Sequence, residues 1–188
     1  MTLSFSQFID GRPTYFVEKI WWGLIQEGLS NFTECNQYQK QHISRFGTYW
    51  PLEPVESIEK RNKPKTFTIR QDPTNRWKPG MDVHPVINNR SSKRFQFAPT
   101  LKLVAKQEVI ISREIVKGST WSCVKIGEAI FQDRSEHVDT MLSAHRIQEL
   151  ATLDGFDTVN DFFDFFSQGQ TEFVFEGYFL HWTTKIIR

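Results

Sequence analysis

The chain has 188 residues, 39% of them apolar, a mean hydropathy of −0.45 and a net charge of +1. That length supports one sizeable core, so the default is a single domain over residues 1–188. Seventeen Phe and six Trp exclude a disordered polar polymer, and no apolar run reaches the length of a membrane span. The first residues lack a charged segment followed by an apolar one, so no signal peptide is expected. Cys35 and Cys123 stand far apart, as free thiols of a reducing compartment do. The expected location is the cytoplasm, with no membrane partner.

In chain order, Leu3 to Phe8 alternates weakly and predicts a first strand, ended by Asp10-Gly11-Arg12-Pro13. Thr14 is placed to cap a helix over Tyr15 to Ile25, with Phe16, Ile20, Gly23 and Leu24 on one side and Gly28 as its stop. Trp21 and Trp22 are adjacent, so they cannot both face the core of a one-sided helix, and one is expected to line a pocket or cover the basic segment. Residues 30–62 break the pattern: Gln-rich, then aromatic, then rich in Pro. They read as an insertion with one short helix.

Lys63 to Met81 is the densest stretch. Thr66-Phe67-Thr68-Ile69-Arg70 has period two, which predicts a strand with Thr66, Thr68 and Arg70 on one face and Phe67 and Ile69 on the other. Lys65 lies just before the polar face, within reach of it. Two hydroxyls and a guanidinium side by side suit an anion or a polar heterocycle. They suit an edge strand with a solvated face equally well. Arg76, Trp77 and Lys78 follow in a turn-rich segment closed by Pro79-Gly80.

Next come a strand over Asp82 to Ile87, a basic turn over Asn88 to Arg94, a longer strand over Leu101 to Ile111 and a hairpin-like insertion over about 114–133. Thr140 to Thr152 has helical spacing and ends at Asp154-Gly155. Asp157 or Thr158 caps a last helix, Val159 to Ser167, before a final strand over Thr171 to Trp182. Short strands with helices at the ends predict an α+β fold built as a small open β-barrel flanked by helices.

Charge is lopsided. Bases dominate from Lys60 to Lys106, including Arg90 and Arg94, and acids dominate from Gly127 to Leu180. The middle of the chain therefore offers a surface for phosphate or another anion, unless the two halves pack together and neutralise each other. The five His have no i, i+3 or i, i+4 partner, so neither a metal site nor a cofactor is expected. Gly-rich phosphate loops and the common hydrolase motifs are absent from the sequence.

Lys65-Thr66-Phe67-Thr68-Ile69-Arg70, then Trp77-Lys78-Pro79-Gly80, then Asp154-Gly155-Phe156 before a Phe-rich helix and an aromatic strand, resemble in order and spacing the ASCH family of the PUA-like superfold. The resemblance spans nearly the whole chain apart from the two insertions. It implies a barrel with a basic cleft suited to RNA, nucleotides or modified nucleosides. The key strand is similar to that of the small bacterial N4-acetylcytidine amidohydrolases, whose catalytic Lys and Thr fall on Lys65 and Thr68 and whose Arg falls on Arg70. Their catalytic Glu falls on Asp154, one methylene shorter.

Three function classes follow. The first is a binder of RNA, a nucleoside or a nucleotide, using Lys65, Thr66, Arg70, Arg76, Lys78, Arg90 and Arg94, with Trp77 or Trp21 stacking a base. The second is an amidohydrolase or ribonuclease acting through Lys65, Thr68 and Asp154. The third is a protein-interaction module using Phe162 to Phe175.

Overall fold

The computed structural model describes residues 1–48, 63–133 and 139–184. In chain order the elements are β1 (Thr2–Ser4), β2 (Phe8–Ile9), β3 (Arg12–Pro13), α1 (Phe16–Gln26), α2 (Phe32–Phe46) and β4 (Phe67–Arg70). Then come β5 (Asp82–Ile87), β6 (Phe95–Gln96), β7 (Leu101–Lys102), β8 (Ala105–Val116), β9 (Ser119–Ile126) and β10 (Ala129–Asp133). The chain finishes with α3 (Asp139–Leu153), α4 (Val159–Ser167) and β11 (Phe173–His181). The fold is α+β. Among the described residues, no sheet closes into a barrel.

The main sheet has five strands in the order β10-β9-β8-β11-β4. A second sheet pairs β1, parallel, and β6, antiparallel, with β5, while β7 pairs with β5 further along. Strands β2 and β3 form a two-stranded ribbon of their own, turned at Asp10 and Gly11, both with positive φ. The anticipated strand from Leu3 to Phe8 is thus divided between two sheets. The strand expected over Leu101 to Ile111 is likewise split, and β8 runs on to Val116 so that the 114–133 segment extends the main sheet.

Helix α1 is buried on nearly every side: Phe16 to Trp21, Gly23 and Leu24 are all inside. A one-sided helix was the expectation, and it fails because the entry to β4 at Lys65, Phe97, Tyr38 of α2 and Phe156 all contact it. Thr14 is not at the cap position of α1, yet its hydroxyl accepts from Phe16 N, the first N–H of the helix, at 3.3 Å. The same hydroxyl donates to Ser6 O at 2.7 Å, and the cap position falls on Tyr15, which is left-handed (φ 53°). Helix α2 is 15 residues long, well beyond the short helix anticipated, with Asn31 accepting from Glu34 N at 2.9 Å as its cap. The rest of that insertion, 49–62, lies outside the described residues.

Strand β4 has the predicted alternation, but only Arg70, half-buried at its end, reaches solvent. Phe67 and Ile69 sit opposite His181 and Phe179, toward the helices, with the Phe67 and Phe179 rings 4.9 Å apart edge to face. Thr68 and Arg70 sit opposite Leu180 and Tyr178. That second face is covered by the chain around β1: the Arg70 guanidinium lies 5.5 Å from the Phe5 ring, which packs on Trp182. Thr66 and Thr68 are therefore buried.

Candidate functional site

The site is built where the entry to β4 threads between two helices. Lys65 N donates to Lys19 O of α1 at 3.0 Å, and Thr66 N donates to Leu153 O at the end of α3 at 3.2 Å. The last carbonyls of a helix have no partner within it, so Thr66 fills one of these vacancies. The approach to α1 requires glycine: a Cβ on Gly23 would stand 2.6 Å from Lys65 O.

Helix α3 stops because Gly155 turns left-handed (φ +93°) and Phe156 N returns to Ala151 O at 2.8 Å. A Cβ on Gly155 would meet the Phe16 ring at 2.9 Å and Lys65 Cδ at 3.1 Å. Two ammonium groups converge on this helix end. Lys65 Nζ donates to Asp154 O and Oδ1, and Lys19 Nζ donates to Gly155 O at 2.8 Å and Asp157 Oδ1 at 2.7 Å. Cations are favoured there by the partial negative charge of a helix C-terminus. The Lys65 ammonium also lies 4.8 Å from the centre of the Phe16 ring.

Lys65 and Asp154 are almost completely enclosed, with side chains 1% and 4% exposed. Burial depresses the Lys65 amine, the Asp154 carboxylate only partly restores it, and the nearby charges of Arg70 and Lys19 lower it further, to about 8. Burial raises Asp154, while Lys65, Arg70 and the Ile69 N–H pull against that rise. Burial thus draws the proton affinities of the two groups toward each other, the direction in which a general acid–base couple is tuned.

A two-lobed cleft runs past this pair. One lobe, about 440 Å³, is walled by Phe16, Lys19, Gly155, Phe156 and Asp157. The other, about 630 Å³, is walled by Ile69, Arg70, Gln71, Phe166, Gln168 and Phe175. Ile9, Asp10, Asp164 and Phe165 line both, so the two lobes are neighbours that share a wall from the β2–β3 ribbon and α4. Lys65 and Asp154 lie behind its wall, in contact with residues that line it.

The other sequence candidates disperse. Thr68 makes no hydrogen bond to Lys65 or Asp154, and Thr66 Oγ1 is buried without a partner. Trp21 is fully buried, its indole donating to Phe97 O at 2.9 Å, and Trp77 is also in the core, so neither has an open face for a base. The cause at Trp77 is Asp72, whose carboxylate accepts from Arg76 N, Trp77 N and Lys106 Nζ. That clamp turns Trp77 inward and Arg76 outward. Trp22, half-buried against Phe32, also stays off the cleft.

Arg76 and Lys78 precede β5, while Arg90 and Arg94 follow it. None of the four lines either lobe of the cleft. Phe162 is buried, as are Phe163 and Phe166, which leaves Val174 as the most open apolar side chain of the Phe-rich end.

Lys19, Phe16 and Asp157 escaped sequence reasoning. The available signal was Lys19 itself, a lysine three residues after Phe16 and four before Gly23 on the core side of a helix. Among the described residues no group of three His, Cys, Asp or Glu is arranged to hold a metal, and no helix is long and apolar enough to cross a membrane. No family model, curated protein or solved structure matches the chain.

Proposed function

We propose that the protein is an ASCH-like domain of the PUA-like superfold that binds a modified nucleoside in the groove beside Lys65 and Asp154. One observation carries this reading: an enclosed lysine–aspartate pair whose neighbours wall a small-molecule-sized cleft on two sides. Phe165, half-buried, supplies an aromatic face for a heterocycle, and Gln71, Gln168 and Arg70 supply edge partners. A nucleoside is favoured over an RNA backbone because Arg76, Lys78, Arg90 and Arg94, the bases that would track phosphates, line neither lobe.

A second reading, hydrolysis of an N-acyl nucleoside, is favoured by the Lys65 amine at about 8 beside a carboxylate raised by burial. Here Lys65 and Asp154 would move the proton, and Thr68 would need to turn toward them to act as nucleophile.

Calorimetric titration of the full chain with cytidine, N4-acylated cytidines and a short RNA, over a range of salt, tests both readings, with product analysis on the same samples. The expected result is nucleoside binding that changes little with salt. Release of free acid from the acylated compounds, abolished in Lys65→Met, would establish the hydrolase. RNA binding that falls steeply with salt, without nucleoside binding, would overturn the nucleoside assignment.

A further inference from the structure

The cations around the groove are not equivalent. Lys19 is engaged by Asp157 at 2.7 Å, and Arg12 stands 4.0 Å from Asp161. Asp164, which borders both lobes, is engaged by Arg113 at 2.9 Å. Arg70 differs. Its Nη1 donates to Ile69 O at 3.2 Å and its Nη2 to Ser4 O at 2.9 Å, both neutral acceptors, and no carboxylate among the described residues lies within ion-pair distance of it. A guanidinium has five N–H donors, so most of its fork remains open. The nearby carboxylate of Asp154 is held by Lys65.

Arg70 is also partly desolvated and lines the larger lobe, between the amides Gln71 and Gln168 and the rings Phe165, Phe166 and Phe175. A planar, incompletely engaged guanidinium in an aromatic-walled cavity matches a carboxylate, which it binds with two parallel hydrogen bonds. Each lobe alone has the volume of a small-molecule site, about 300–1,000 Å³. A single heterocycle therefore leaves one lobe for a substituent.

We propose that the Arg70 lobe is a carboxylate subsite, so that the ligand is a nucleoside whose base carries an arm ending in a carboxylate, as in an amino-acid or dicarboxylic acyl group. This rests on the nucleoside reading of the groove. The heterocycle occupies the lobe bordered by Phe16 and Phe156, and the arm passes the shared residues Ile9 and Phe165 to reach Arg70.

The test compares N4-acetylcytidine, N4-succinylcytidine and the methyl ester of the succinyl compound by calorimetry with the full chain and with Arg70→Gln. The quantity read is the ratio of affinities within one protein, which a change in stability does not move. In the wild type the succinyl compound is expected to bind about tenfold or more tightly than either neutral compound, the range a charge-assisted hydrogen bond supplies. Arg70→Gln is expected to bring the ratio close to one. Arg70→Lys is expected to keep part of it, because the charge stays while the fork is lost. Equal binding of all three compounds by the wild type would overturn the carboxylate subsite and leave the nucleoside reading standing. A preference that persists in Arg70→Gln would overturn the role of Arg70. Binding of none of the three would overturn both.

Discussion

Shutting a lysine ammonium and an aspartate carboxylate away from water costs several kcal/mol per ion, and the attraction between them repays this only with good geometry and further hydrogen bonds. Lys65 and Asp154 have these: the helix-end carbonyl of Asp154, the Ile69 N–H and the Phe16 ring. Removing one partner leaves the other buried and unpaired. Asp154→Leu and Lys65→Met are each therefore expected to destabilise the fold by about 3–5 kcal/mol, whereas the two combined lose less than either single change. Urea unfolding of the four proteins gives the cycle, and additive losses would count against a coupled pair.

The proton balance gives an independent check. Lys65 titrates at about 8 in the fold against a reference of 10.5. Between those values the unfolded chain holds a proton that the folded chain has released. Stability contributed by Lys65 therefore climbs with pH through that window. The rise is on the order of 3 kcal/mol when complete. Denaturation midpoints measured from about pH 7 to about pH 10 are expected to show this slope in the wild type and not in Lys65→Met.

At the scale of elements, Gly23 decides whether β4 can reach α1. Alanine is the better helix former by about 1 kcal/mol. A Cβ there would nevertheless stand 2.6 Å from a backbone carbonyl that cannot move without displacing Lys65. Gly23→Ala is expected to lower the melting temperature and destabilise by about 1–3 kcal/mol, the cost of overpacking. An unchanged or raised melting temperature would mean that the two elements separate freely.

Elements were legible where local chemistry set them: the alternation of Thr66 to Arg70, the Thr158 cap accepting from Asp161 N, and the Gly155 stop. Helix α2 was not legible in full because it buries little, only Cys35 and His42 among its fifteen residues, so no apolar stripe marks its length. The site was half legible. Lys65 and Asp154 do meet, but the burial of both β4 faces and the inward turn of Trp77 depend on partners distant in sequence. Asp72, which holds Trp77 N, is itself held by Lys106, 34 residues beyond it.

At the scale of the whole molecule, the groove joins pieces from both ends of the chain. The ribbon at Ile9–Arg12 and α1 supply one side, and the Gly155–Phe156 turn with α4 supplies the other. Lys65 and Asp154 are themselves 89 positions apart. The charge asymmetry between the middle and the end of the chain is partly spent in this joining, through Lys65–Asp154 and Arg113–Asp164.

The strand order adds a constraint in time. Strand β11 is formed by the last described strand residues yet lies between β8 and β4 in the main sheet. On a ribosome β4 emerges more than a hundred residues before the partner that pairs with it, since Phe67 waits for His181. Until then its ladder edge is open. Pairing over such a separation is slow and carries a high loop-closure cost. The final strand acts as a keystone: β4 gains its ladder partner, and the larger lobe its Phe175 wall, only when β11 docks.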